Sequence, residues 1–148
     1  MNKILCRISG VLALAFLTAT PALRAQDALL VNIPFAFTAG KMTLPAGEYR
    51  IQKAADTSPA LLIQRPDRGA SGLVMSSAVD TNRGQNQQSK AVFHKYGERY
   101  FLCQVWTAGH SRGRQLPESA KEKEQALAAH DQRPEEVTIV ARLITPKP

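Results

Sequence analysis

The side chains able to do chemistry are few and widely spaced. Histidines stand at 94, 110 and 130, and the cysteines are Cys6 and Cys103. No HExxH, paired CxxC or comparable ligand spacing joins them, and such spacing is what a structural or hydrolytic metal site requires. The sequence therefore implies no metal and no cofactor. His94 and Cys103 form the one pair with nucleophilic potential, since a neighbouring imidazole can generate a thiolate. No third group that would orient the imidazole is evident, and a cysteine between Leu102 and Val105 reads as a small core residue. Ser71, Ser76, Ser77 and Ser111 occur outside any GxSxG elbow, and neither a P-loop nor a GxGxxG fingerprint is present. Glu135 and Glu136 are adjacent carboxylates with nothing to mark them as an acid–base couple. No catalytic residue is assigned.

A different chemistry is available to the cations. His110, Arg112, Arg114, Lys121 and Lys123 fall within fourteen positions and form a candidate binding surface for an anionic polysaccharide, a phospholipid headgroup or a protein. Glu118, Glu122 and Glu124 interleave with the lysines, which is also the pattern of an ordinary solvated helix face.

Those residues need a scaffold, and the chain length bounds it. The sequence has 148 residues, net charge +7, 44% hydrophobic residues and 6% aromatics, enough for one domain with a modest core. The first 25 residues read as an export signal rather than as part of that domain. Lys3 and Arg7 precede an uncharged apolar run over 8–19, too short to span a bilayer, and Pro21 and small residues follow. Cleavage after Ala25 is expected, with Ala22 as the competing position. Processing removes Lys3, Arg7, Arg24 and Cys6, so 26–148 carries 16 basic and 12 acidic residues and a single cysteine. An intramolecular disulfide is then excluded. No second apolar run would anchor the mature chain, which is expected in the periplasm or outside the cell. No nucleic-acid partner is expected for an exported chain without a binding motif.

Residues 26–148 alternate short apolar segments with turn signals at roughly ten-residue intervals, which predicts a mainly β domain. The expected architecture is an antiparallel sandwich or barrel of about seven or eight short strands, with one helix before the last. The first strand places Val31, Ile33, Phe35 and Phe37 on one face, with Pro34 marking an edge or bulge, and 38–40 form a turn. Pro45-Ala46-Gly47 is expected to fold 41–44 back on 48–53. Strands follow over 60–64 and 72–79, then a polar loop over 80–89. Gly97-Glu98 predicts a type II′ hairpin between 90–96 and 99–106. Its register sets Tyr96 opposite Arg99, His94 opposite Phe101 and Val92 opposite Cys103. One face would hold Val92, His94, Tyr96, Phe101, Cys103 and Val105, the other Ala91, Phe93, Lys95, Tyr100, Leu102 and Trp106. Residues 109–114 read as a basic loop and 117–130 as the helix, with a thin stripe of Leu116, Ala120 and Leu127. The β-branched segment 137–144 reads as an interior final strand.

Several of these segments occur together in a known group. Asn32-Ile33-Pro34-Phe35-Ala36-Phe37, Leu44-Pro45-Ala46-Gly47-Glu48-Tyr49, Phe93-His94-Lys95-Tyr96-Gly97, and Tyr100-Phe101-Leu102 with Val105-Trp106 carry the likeness, closing on Gly113-Arg114-Gln115-Leu116-Pro117. The chain resembles a family of small exported bacterial proteins of unknown function. The resemblance speaks to turns and strand cores and implies no activity, ligand or cofactor. The expectation is an exported, non-catalytic binding or structural module that uses the loops over 80–89 and 109–115. A small secreted hydrolase or thiol enzyme, and an apolar-ligand carrier with a barrel cavity, are the alternatives.

Overall fold

The alternating apolar segments become β1 (Ala28–Ile33), β2 (Phe37–Ala39), β3 (Met42–Leu44), β4 (Gly47–Lys53), β5 (Ala60–Gln64), β6 (Ser71–Met75), β7 (Ser77–Asp80), β8 (Lys90–Tyr96), β9 (Arg99–Trp106) and β10 (Arg112–Gln115). Helix α1 (Ala120–Ala128) precedes β11 (Glu135–Val140) and β12 (Arg142–Ile144). The structure, a computed structural model, describes residues 26–82, 84–130 and 132–145, so the expected export signal over 1–25 lies outside the described residues.

Two sheets account for these strands. The first runs β12-β1-β4-β5-β6, and the second runs β11-β8-β9-β10-β7, with β2 parallel to β9 and β3 beyond β2. Among the described residues the chain is mainly β, with one helix ahead of the last strands, as the sequence predicts. No strand ladder among the described residues joins the sheets, so the fold is a sandwich and the barrel option is set aside.

The described strands number twelve rather than seven or eight because several apolar runs bend from one sheet into the other. The run over 31–37 breaks at Pro34, ending β1 in the first sheet and starting β2 in the second, and the expected turn moves to Gly40-Lys41. The run over 72–79 bends at Ser76, whose N–H and Oγ both donate to the Pro59 carbonyl, at 3.0 and 2.5 Å. The last run bends at Ala141, and β11 and β12 each take an edge position instead of an interior one. Pro45-Ala46 is likewise a corner and not a hairpin: β3 pairs with β2, whereas β4 lies between β1 and β5. Tyr49 secures this corner. Its buried ring leaves a hydroxyl that donates to the Pro45 carbonyl four residues upstream at 2.6 Å, the arrangement of a tyrosine corner.

The core lies between the sheets. Leu29, Val31, Ile33, Tyr49, Ile51, Leu61 and Ile63 project from the first sheet towards Phe37, Ala91, Phe93, Leu102 and Val105 of the second. Five of the chain's nine aromatic residues form a chain of ring contacts through it, Tyr100 to Phe35 to Phe93 to Phe37 to Tyr49.

The Gly97 hairpin forms, with Gly97 at φ +59°, the left-handed first position that a type II′ turn demands. Its register holds from Tyr96/Arg99 to Phe93/Leu102 and then shifts, pairing Val92 with Gln104 and leaving Cys103 as the extra residue of a β-bulge. The shift corrects the predicted faces beyond it. Val105 joins Ala91, Phe93 and Leu102 in the main core, while Trp106 packs with Val92 and Cys103 on the opposite side.

Candidate functional site

Arg112 and Arg114 sit two residues apart on β10, a strand where the sequence suggested a loop. Strand β10 exists because Gly113 lies flat against Trp106: a Cβ there would come within 2.5 Å of the indole ring. The alternation places both arginines on the same side of the strand. They line a cleft of about 480 Å³ between the two sheets. Leu29, Ile51 and Leu61 of the first sheet and Val105 of the second supply its apolar floor, and Lys53, Arg112 and Arg114 supply its cations, with His110 beside them. Asp27 and Asp56 stand on the first-sheet side, facing the β10 wall.

The cations are not equivalent. Arg112 Nε pairs with Asp80 Oδ1 at 3.0 Å, so its charge is matched locally. Arg114 donates from Nη2 to the Ser58 carbonyl at 3.3 Å, and its buried Nε has no hydrogen-bond partner among the described residues. A buried donor left unpaired costs about 1–3 kcal/mol, so an acceptor reaching Arg114 Nε would be favourable. The structure thus brings His110, Arg112 and Arg114 together. It separates Lys121 and Lys123 from them: both lie on α1, where Lys121 Nζ reaches Thr43 Oγ1 at 3.3 Å and Lys123 is exposed. The five candidate residues therefore divide between two places. Lys53, Asp27 and Asp56 were not singled out in the sequence, because each lies far along the chain from β10 and reaches the cleft only through sheet packing.

A second polar constellation occupies the side of the hairpin facing α1. The helix spans nine residues where 117–130 was expected, and Pro117 precedes it instead of opening it. Ser119 caps it, its Oγ accepting the Glu122 N–H at 3.1 Å. Glu122 is the buried residue of this helix, 3% exposed, whereas Leu127 of the expected stripe is 79% exposed. Its Oε1 lies 2.7 Å from His94 Nδ1, the geometry of an imidazole N–H donating to a carboxylate. His94 therefore does have an orienting carboxylate. The Ser-x-x-Glu spacing of 119–122 was visible, but it signals a capping box and not a partner 28 residues away.

This carboxylate does not make Cys103 a nucleophile. The thiol is buried and donates to the Val92 carbonyl at 3.1 Å. Burial, with the Glu122 and Glu136 carboxylates adding to it, pushes the thiol up to about 12. Thiolate is the reactive form, so alkylation at pH 8 is expected to run about a thousandfold slower in the folded chain than in urea. The same shift gives a pH dependence. Unfolding lowers the thiol to its ordinary value of 9.0, so the unfolded chain loses this proton first and stability falls as pH rises from 9 towards 12. Chemical denaturation at pH 8 and pH 10.5 checks this, with Cys103→Ala expected to show a shallower decline.

Among the described residues no group of three or more His, Cys, Asp or Glu could hold a metal ion. No described helix is long and apolar enough to cross a membrane. No protein-family model, no curated protein and no solved structure matches the chain.

Proposed function

We propose that this chain is an exported, non-catalytic binding module that seats a small amphipathic acid in the cleft beside β10. The observation that carries this reading is the cleft itself, where an apolar floor meets arginines positioned by one strand. Its volume falls in the range of small-molecule sites, and apolar walls with few convergent polar groups are their usual lining. The acid would face the β10 wall, since Arg112 is matched by Asp80 and Arg114 retains donors for a carboxylate or phosphate. Asp27 and Asp56 opposite would repel an acid placed the other way round. Export rests on the signal-like first 25 residues and on the resemblance to small exported proteins. The buried, weakly acidic Cys103 thiol speaks against a thiol enzyme.

Calorimetric titration with decanoate, decylamine and inorganic phosphate tests the reading. Decanoate is expected to bind and the other two to bind at least tenfold more weakly, with Arg114→Gln on the β10 wall lowering decanoate affinity more than Lys53→Gln on the first-sheet side. Equal affinity for decanoate and decylamine, or no effect of Arg114→Gln, would overturn it.

A further inference from the structure

A sheet end exposes backbone hydrogen-bonding groups, and most edge strands carry a charge, a proline or a bulge that blocks pairing with another chain. The ends of these two sheets follow that rule with one exception. Strand β12 carries Arg142, β11 carries Glu135 and Glu136, β7 ends on Asp80, and β3 is bracketed by Lys41 and Pro45. Strand β6 reads Ser71-Gly72-Leu73-Val74-Met75, with no charge and no proline.

Its free groups can be assigned from the bonds on its other side. Arg65 N–H donates to the Ala70 carbonyl and Ser76 N–H to the Pro59 carbonyl, so the even-numbered residues face β5. Ser71, Leu73 and Met75 therefore direct N–H and C=O away from the sheet. No described strand other than β5 pairs with β6. Val74 points into the core, whereas Leu73 and Met75 lie on the outer face, 62% and 60% exposed. Leu73 stands directly beside Leu62 of β5.

We infer that β6 pairs antiparallel with β6 of a second copy of this chain, about a two-fold axis through Leu73. That register places Leu73 opposite its equivalent and Ser71 opposite Met75, so every residue with outward backbone groups meets another of the same kind. It also carries the Leu62–Leu73 row across the joint into the same row of the second copy, and no charge within the strand opposes another. The contact is isologous and closes on itself, extending the five-stranded sheet to ten strands. A second copy fits the edge because it brings the same leucine row and the same outward backbone groups to the joint. Five residues a side make a small interface, so the dimer is weak and concentration-dependent. The cleft beside β10 is lined by other strands, and its ligand binding is independent of this pairing.

Sedimentation equilibrium up to ~1 mM protein is expected to show a monomer–dimer equilibrium in the weak-affinity range. Leu73→Lys sets two ammonium groups opposite each other and is expected to raise the dissociation constant at least tenfold, with the dilute-solution thermal midpoint unchanged. Register is tested by oxidative crosslinking in a Cys6→Ser background. Directly opposed residues of a hydrogen-bonded pair lie about 5.5 Å apart at Cα, within disulfide reach. Leu73→Cys is thus expected to crosslink to itself, Met75→Cys alone not to, and a mixture of Ser71→Cys and Met75→Cys chains to form the heterodimer. A chain that stays monomeric throughout, a Leu73→Lys variant that associates like the parent, or self-crosslinking of Met75→Cys at the Leu73→Cys rate would each overturn the proposal.

Discussion

Replacing His94 with alanine is expected to destabilise the fold by about 1–3 kcal/mol, the cost of leaving a buried hydrogen-bonding group without its partner. Glu122 supplies that group: its side chain is 4% exposed and accepts the 2.7 Å bond from His94. A nine-residue helix is too short to persist alone in water, and with Leu127 in solvent this one has little apolar docking surface. The carboxylate–imidazole bond therefore doubles as the attachment of α1. If the helix detaches before the full cost is reached, the deficit appears as lost amide protection across Ala120–Ala128. A cycle with Glu122→Gln separates the contributions. The single changes are expected to sum to well over the double change, whereas equal and additive losses would show that the pair does not couple. His94→Leu with Glu122→Leu should recover most of the stability, since apolar replacements of a buried pair are often tolerated.

Phe93→Ala is expected to cost about 3–5 kcal/mol, the usual range for removing a buried aromatic ring. Phe93 is fully buried and meets Phe35 and Phe37 edge-on, with centroids 5.1 and 5.5 Å apart. Phe35 in turn stacks on Tyr100, and Phe37 meets Tyr49 of the first sheet. Removing the central ring opens a gap between contacts that reach both sheets, so the loss exceeds the transfer energy of the ring alone. Urea denaturation measures it, with Leu73→Ala as the surface control expected within about 0.5 kcal/mol of the parent. A Phe93→Ala midpoint close to that control would show that the ring chain does not bear on stability.

What the sequence reveals about this fold depends on the range over which each feature is determined. The Gly97-Glu98 turn is legible because its requirement is local: one glycine in a left-handed conformation between two apolar strands. The corners at Pro34, Ser76 and Ala141 are not, because apolar alternation continues through a bend as readily as along a straight strand. The bulge at Cys103 is hidden for a related reason. Both faces of that hairpin are apolar, so a one-residue slip changes the partners without placing a polar side chain in the core. Of the site, Arg112, Arg114 and His110 are visible as a cluster because they are neighbours in sequence. Lys53, Asp56 and the His94–Glu122 pair are set by tertiary packing between distant segments. The helix does carry one indirect hint of its anchor, since an apolar stripe that thin leaves docking to some other contact.

Strand β12 lies against β1, with Ala28 opposite Ile144 and Leu30 opposite Arg142. The first and last described strands are therefore direct neighbours. Such a pairing closes a loop that takes in every other described strand, and pairings of that span slow folding, into the millisecond-to-second range for β sandwiches. During synthesis the first sheet stays without its β12 edge until Arg142–Ile144 has been made, so the ladder that joins the two ends of the described fold forms after every other described strand is present.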